Sequence, residues 1–99
     1  MADSMAHADW KLIPEYMHGG IRRYVEHGVL PGDFLQAVIC NDLFRAVERA
    51  DDTNILLLAR YVIFFYNYTP HECWGSADHV KAWVARGGLS GTPQSERVA

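Results

Sequence analysis

Apolar positions recur along this chain at helical intervals. Ile13, Met17, Ile21, Tyr24 and Val25 fall at i, i+4, i+8, i+11 and i+12, a single stripe on a helix surface. Pro14 suits the first turn of that helix, where its missing N–H would have no partner. Gly28, directly after His27, supplies a left-handed stop. Gly19 and Gly20 lie within the same helix and cost about 1 kcal/mol each relative to alanine. The expectation is that another helix packs closely on their bare backbone; the alternative is a hinge, or a surface that a partner's backbone approaches.

The run Leu30-Pro31-Gly32-Asp33 reads as a turn leading into a helix, with Phe34, Leu35, Val38 and Ile39 on its apolar side. Asn41-Asp42 then interrupts with two residues that favour caps, so two helices are expected, near 33–40 and 41–50, with one continuous helix as the competing reading. Leu43, Phe44, Val47 and Ala50 are expected to form the buried side of the second, leaving Asp42, Arg45, Glu48 and Arg49 toward solvent. The segment 51–54 offers several N-caps for a longer helix reaching Tyr66. That helix has no polar face, and a helix apolar all round must be surrounded. Either the other helices enclose it, or one flank makes a subunit contact. Residues 67–75 read as a loop. Ser76 can cap a last helix near 77–86, with Val80, Trp83 and Val84 inward, ended by Gly87-Gly88. The expected fold is all-α: a compact bundle of four to five helices around a central apolar helix.

A chain of 99 residues is the size of one domain. Patterning places it at 10–88, between a flexible N-terminus at 1–9 and a flexible C-terminal tail at 89–99. A hydrophobic share of 49% with 21% charged residues excludes wholesale disorder. The net charge of −3 is too small to mark either a basic nucleic-acid binder or an acidic nucleic-acid mimic. The N-terminus lacks the basic-then-apolar pattern of a signal peptide. The longest apolar stretch, 55–66, is broken only by Arg60 and falls well short of the ~20 residues a membrane span needs. Cys40 and Cys73 read as free thiols, which with the missing signal places the protein in a cytoplasm, with no membrane partner.

Few residues suggest chemistry. His71, Cys73 and His79, with Glu72 and Asp78 nearby, are the nearest approach to a ligand set, but His-x-Cys-x5-His matches no usual zinc spacing. Neither a metal nor any other cofactor is expected, and Cys73 with Trp74 should anchor the loop to the core. A Cys–His nucleophile needs an electropositive, partly exposed thiol; Cys40, inside Val-Ile-Cys, lacks one. No catalytic residue is assigned, and the chain is not expected to be an enzyme. A helix-turn-helix needs a basic recognition helix, whereas the helix at 77–86 offers Lys81, Arg86 and His79 opposed by Asp78, and Arg22-Arg23 sit beside Glu26. Direct nucleic-acid binding is therefore disfavoured. A small dimeric DNA-binding transcriptional regulator is kept as the alternative function.

Surface remains. Asp42, Arg45, Glu48, Arg49, Asp51 and Asp52 should form a mixed-charge ridge of the kind protein recognition uses. Tyr16, Tyr66, Tyr68 and Trp74 cannot all be buried in so small a body, and Trp74 joins the ridge as a candidate partner-binding residue. The strings Arg23-Tyr24-Val25-Glu26-His27-Gly28, Pro31-Gly32-Asp33-Phe34-Leu35, Asn41-Asp42-Leu43, Ala50-Asp51-Asp52 and Cys73-Trp74-Gly75-Ser76 resemble those of a family of short phage and prophage helical proteins. That family implies no activity, so no catalytic residue is carried over. Size and mild acidity also resemble anti-CRISPR proteins. What this implies is an interaction protein of a phage or mobile element in the host cytoplasm. It would inhibit a host protein complex, such as a CRISPR effector, by blocking nucleic-acid or nuclease access.

Overall fold

Polar side chains just ahead of the apolar run cap three of the α-helices. In a computed structural model, which describes Met5 and residues 7–91, six α-helices follow in order. They are α1 (His18–His27), α2 (Asp33–Ile39), α3 (Leu43–Arg49), α4 (Asp52–Leu56), α5 (Leu58–Tyr68) and α6 (Ala77–Arg86). Short 3-10 turns at Trp10–Leu12, Glu15–Met17, His71–Cys73 and Gly88–Ser90 complete the secondary structure, with no strand among the described residues. Asp42 caps α3 by accepting from the Arg45 N–H at 3.2 Å, and Asp51 caps α4 by accepting from the Asn54 N–H at 2.7 Å. Ser76 caps α6 through the His79 N–H at 3.1 Å. Gly28 and Gly87 end α1 and α6 in the left-handed conformation, at φ 71° and 87°. Each relieves carbonyls of the last turn that would otherwise lack donors.

The core gathers Ile21, Tyr24 and Val25 of α1, Phe34, Leu35 and Ile39 of α2, Tyr61, Phe64 and Phe65 of α5, and Val80 and Trp83 of α6. Two long-range hydrogen bonds tie the N-terminal helix to the C-terminal third. The Tyr24 hydroxyl donates to the Cys73 carbonyl at 2.5 Å, and the Trp83 indole N–H donates to the Tyr24 carbonyl at 3.0 Å. Beside them the backbones of Gly28 and Gly88 cross so closely that a Cβ on Gly88 would lie 2.5 Å from the Gly28 nitrogen.

The all-α bundle is as expected, but its interior is arranged differently. The long helix is two helices, broken at Leu57 (φ −111°, ψ 11°). There the Leu57 N–H bonds the Asn54 carbonyl and the Arg60 N–H bonds the Leu57 carbonyl, tighter i→i+3 links than an α-helix makes. The break leaves Asn54 buried, where its Oδ1 accepts from the buried Tyr61 hydroxyl at 2.5 Å. The second half is not enclosed: α5 buries Tyr61, Phe64 and Phe65 and leaves Val62, Ile63 and Tyr66 exposed. Helices of five to eleven residues are only about 8–16 Å long, and so few short rods cannot cover all sides of another.

The packed body also extends past its expected ends. Met5 is fully buried, Ala8 and Leu89 pack on the core, and Asp9 caps the Trp10–Leu12 turn, so neither 1–9 nor 89–99 is free throughout. The remaining expected tail, 92–99, lies outside the described residues, as do 1–4 and Ala6.

Gly19 and Gly20 do not sit at a helix crossing. A Cβ on Gly19 would meet only the Arg23 side chain, and one on Gly20 would lie 3.9 Å from Leu35 Cδ1, an ordinary contact. Gly20→Ala should therefore stabilise the fold by about 0.5–1 kcal/mol, a Tm rise of about 2–8 °C in a domain of this size. A lower Tm would show that the backbone is approached more closely than this.

Candidate functional site

The most distinctive surface lies on α3 and α5, and its make-up follows from one small residue. Ala46 is the sole buried side chain of α3, and both it and Ala37 of α2 line the narrow space between α3 and its neighbours. Alanines let two helices approach, and larger neighbours on α3 must then splay outward. Leu43, Phe44 and Val47 are accordingly exposed, against the expectation that they form the buried side. On α5, Val62, Ile63 and Tyr66 repeat the same i, i+1, i+4 spacing. Such triplets span about 100° of arc on a helix. The six side chains are between 45% and 87% exposed, Phe44 the most.

The two triplets meet at Leu43 and Val62. Leu43 and Val62 line a shallow cavity of about 70 Å³ together with Leu58 and Ala46. Val62 and Tyr66 line a second, of about 180 Å³, with Val38, Phe65 and Trp74. Leu56, at the end of α4, adds a further exposed side chain at 84%.

Beside the second cavity Tyr66, His71 and Trp74 form a ring cluster, with centroids 5.1–5.8 Å apart. Trp74 is half-buried, and its indole N–H is shielded from solvent with no acceptor among the described residues. A buried donor without a partner is rare. The expectation that the four aromatic residues could not all be buried holds: Tyr16 and Tyr66 are exposed, while Tyr68 and Trp74 are half-buried.

The six charged ridge residues are all exposed, whereas Trp74 is half-buried, and they do different work. Asp42 and Asp51 spend a carboxylate oxygen on capping. The Asp51 carboxyl is held below its usual range by the Asn54 N–H and by the Tyr16 hydroxyl, which donates to it at 2.7 Å. That bond in turn raises the Tyr16 phenol. Arg49 reaches Asp33 at 3.6 Å and Glu48 at 4.0 Å. Arg45 and Glu48 stand on α3 with the apolar face and Asp52 opens α4 next along the chain; they supply its charged border.

The residues weighed for chemistry are not brought together. No group of three or more His, Cys, Asp and Glu side chains among the described residues could hold a metal. His71 stacks on Tyr66, while the His79 Nδ1 lies 2.8 Å from the Trp74 carbonyl. Cys73 is buried, with its thiol against the Thr69 hydroxyl at 3.5 Å, and burial pushes that thiol up to about 11. Cys40 is raised as well, first by loss of water and then by Asp42. Both shifts oppose thiolate formation. Because Cys73 holds its proton more tightly when folded, its contribution to stability is present below the unfolded thiol's value of about 8.5 and is lost as pH rises toward 11. The Tm should fall more steeply between pH 8.5 and 10 in the native chain than in Cys73→Ala; parallel profiles would contradict the shift.

Sequence reasoning found the charges and missed the apolar side chains between them. The signal available was Ala46, a small residue flanked by large ones on a short helix. No helix of the described residues is long and apolar enough to cross a membrane. No family model, curated protein or solved structure matches the chain.

Proposed function

We propose that this chain is a small binding protein, without chemistry of its own, that inhibits a partner protein complex by seating the α3/α5 face on it. The observation that carries this reading is the exposure of Leu43, Phe44, Val47, Val62, Ile63 and Tyr66 on two adjoining helices. An apolar centre with a polar rim is how protein interfaces are built, and contiguous apolar patches beyond a few hundred Å² are uncommon on proteins that act alone. Asp42, Arg45, Glu48, Arg49, Asp51 and Asp52 form the rim, and the half-buried Trp74, packed against Tyr66, closes one end. The partner proposed is a host protein complex, a CRISPR effector being the first to try, with access of nucleic acid or nuclease blocked by occupancy.

Expression in bacteria whose CRISPR system targets a plated phage tests the partner: plaquing of that phage should be restored. Phe44→Glu tests the face. Loss of a central aromatic anchor costs about 2 kcal/mol or more, so about 30-fold more protein should be needed for the same inhibition. Glu48→Lys and Asp52→Lys, at the rim, should change association rate and salt dependence more than final affinity. Unaltered plaquing removes the CRISPR effector as partner, and full activity of a folded Phe44→Glu variant removes the face.

A further inference from the structure

The same face is built to accept its own copy. We infer that, with no other partner bound, two chains pair symmetrically through α3 and α5. The inference rests on the binding-face reading above and names what occupies that face in the free protein.

Three features point to a second copy. The first is area. The six exposed side chains present roughly 700 Å², taking ~150–250 Å² for a whole large side chain. A stable interface of standard size buries ~800 Å² per partner, so one further contact at the rim closes the difference. The second is charge. Asp42, Glu48, Asp51 and Asp52 are nearly balanced by Arg45, Arg49 and Arg60, so the face carries a net charge of only −1 and repels its own copy weakly. A strongly basic or acidic partner would find no complement there. The third is repetition. A two-fold interface requires that if residue i touches j, then j touches i. The triplets Leu43-Phe44-Val47 and Val62-Ile63-Tyr66 share one spacing, so α3 of each copy can lie on α5 of the other, both contacts apolar.

Pairing also regulates the face: a partner protein must displace the second copy. Inhibition per chain then falls as concentration rises above the dissociation constant of the pair.

Sedimentation of the full chain through a dilution series, from millimolar to sub-micromolar, tests this. The mass should pass from twice 11.2 kDa to 11.2 kDa on dilution. Phe44→Glu and Val62→Glu should each raise the midpoint about 30-fold or more, while Lys81→Glu on α6 leaves it unchanged. Both face positions are exposed, so these variants keep their helical circular dichroism. In the native chain, amide NMR shifts that move on dilution should be confined to α3, α4 and α5. A single copy at every concentration overturns the inference, and when such a chain binds another protein the face belongs to that protein alone. Pairing that Phe44→Glu leaves intact overturns it too, as does growth beyond two copies, which marks an open-ended contact. A chain that pairs as described yet leaves plaquing unaltered keeps the pair and loses the inhibitor.

Discussion

Gly88→Ala should destabilise the fold by about 3–4 kcal/mol, although it adds a single methyl group. Two costs combine. The residue sits at φ 68°, where an L side chain pays about 1–2 kcal/mol. The new Cβ would also lie 2.5, 2.6 and 2.7 Å from the Gly28 nitrogen, the His27 nitrogen and the Glu26 carbonyl carbon. All three are backbone atoms and none can rotate away. Against a total stability of about 5–15 kcal/mol the loss should lower Tm by about 12 °C or more. Gly91→Ala is the control. Its φ of 70° is nearly the same, but the nearest atom to its Cβ is 3.9 Å away. It should show the backbone cost alone, about 1–2 kcal/mol. Equal losses at both positions in thermal unfolding would mean that the crossing is slack.

Trp83→Ala should be comparably severe, at about 3–5 kcal/mol. The ring is 1% exposed and fills the space between α6 and α1. Its removal leaves a cavity that the adjoining glycine backbones cannot collapse to fill. Trp83→Phe separates volume from hydrogen bonding. The Tyr24 carbonyl that accepts the indole N–H also accepts from the Gly28 N–H at 2.9 Å, so it keeps a partner without the indole. Phenylalanine should therefore recover most of the loss. A Phe variant as unstable as the Ala variant would show that the indole bond, not the packing, holds the helices together.

Local chemistry was legible before the structure; sidedness was not. The caps at Asp42, Asp51 and Ser76 and the stops at Gly28 and Gly87 each depend on a few adjacent residues, and all five form as the sequence implies. The stripe on α1 was equally readable, because its apolar positions alternate with polar ones at a helical period. The segment from Ile55 to Tyr66 has no such contrast. With apolar residues on every side, its pattern states that the helix is greasy but not which side is covered. In α3 the larger residues were assigned inward by size, whereas the fold uses Ala46 for the close approach and turns Phe44 out. The charged rim was legible and the apolar centre was not, for that same reason.

The crossing of Gly28 with Gly88 also sets when the molecule can become native. The long-range hydrogen bonds of α1 and its closest backbone approach come from the last third of the described chain: the Cys73 carbonyl, the Trp83 ring and Gly88 itself. During synthesis α1 therefore waits, its apolar stripe only partly covered, until α6 and the glycines behind it have left the ribosome. The domain then closes as one unit rather than helix by helix.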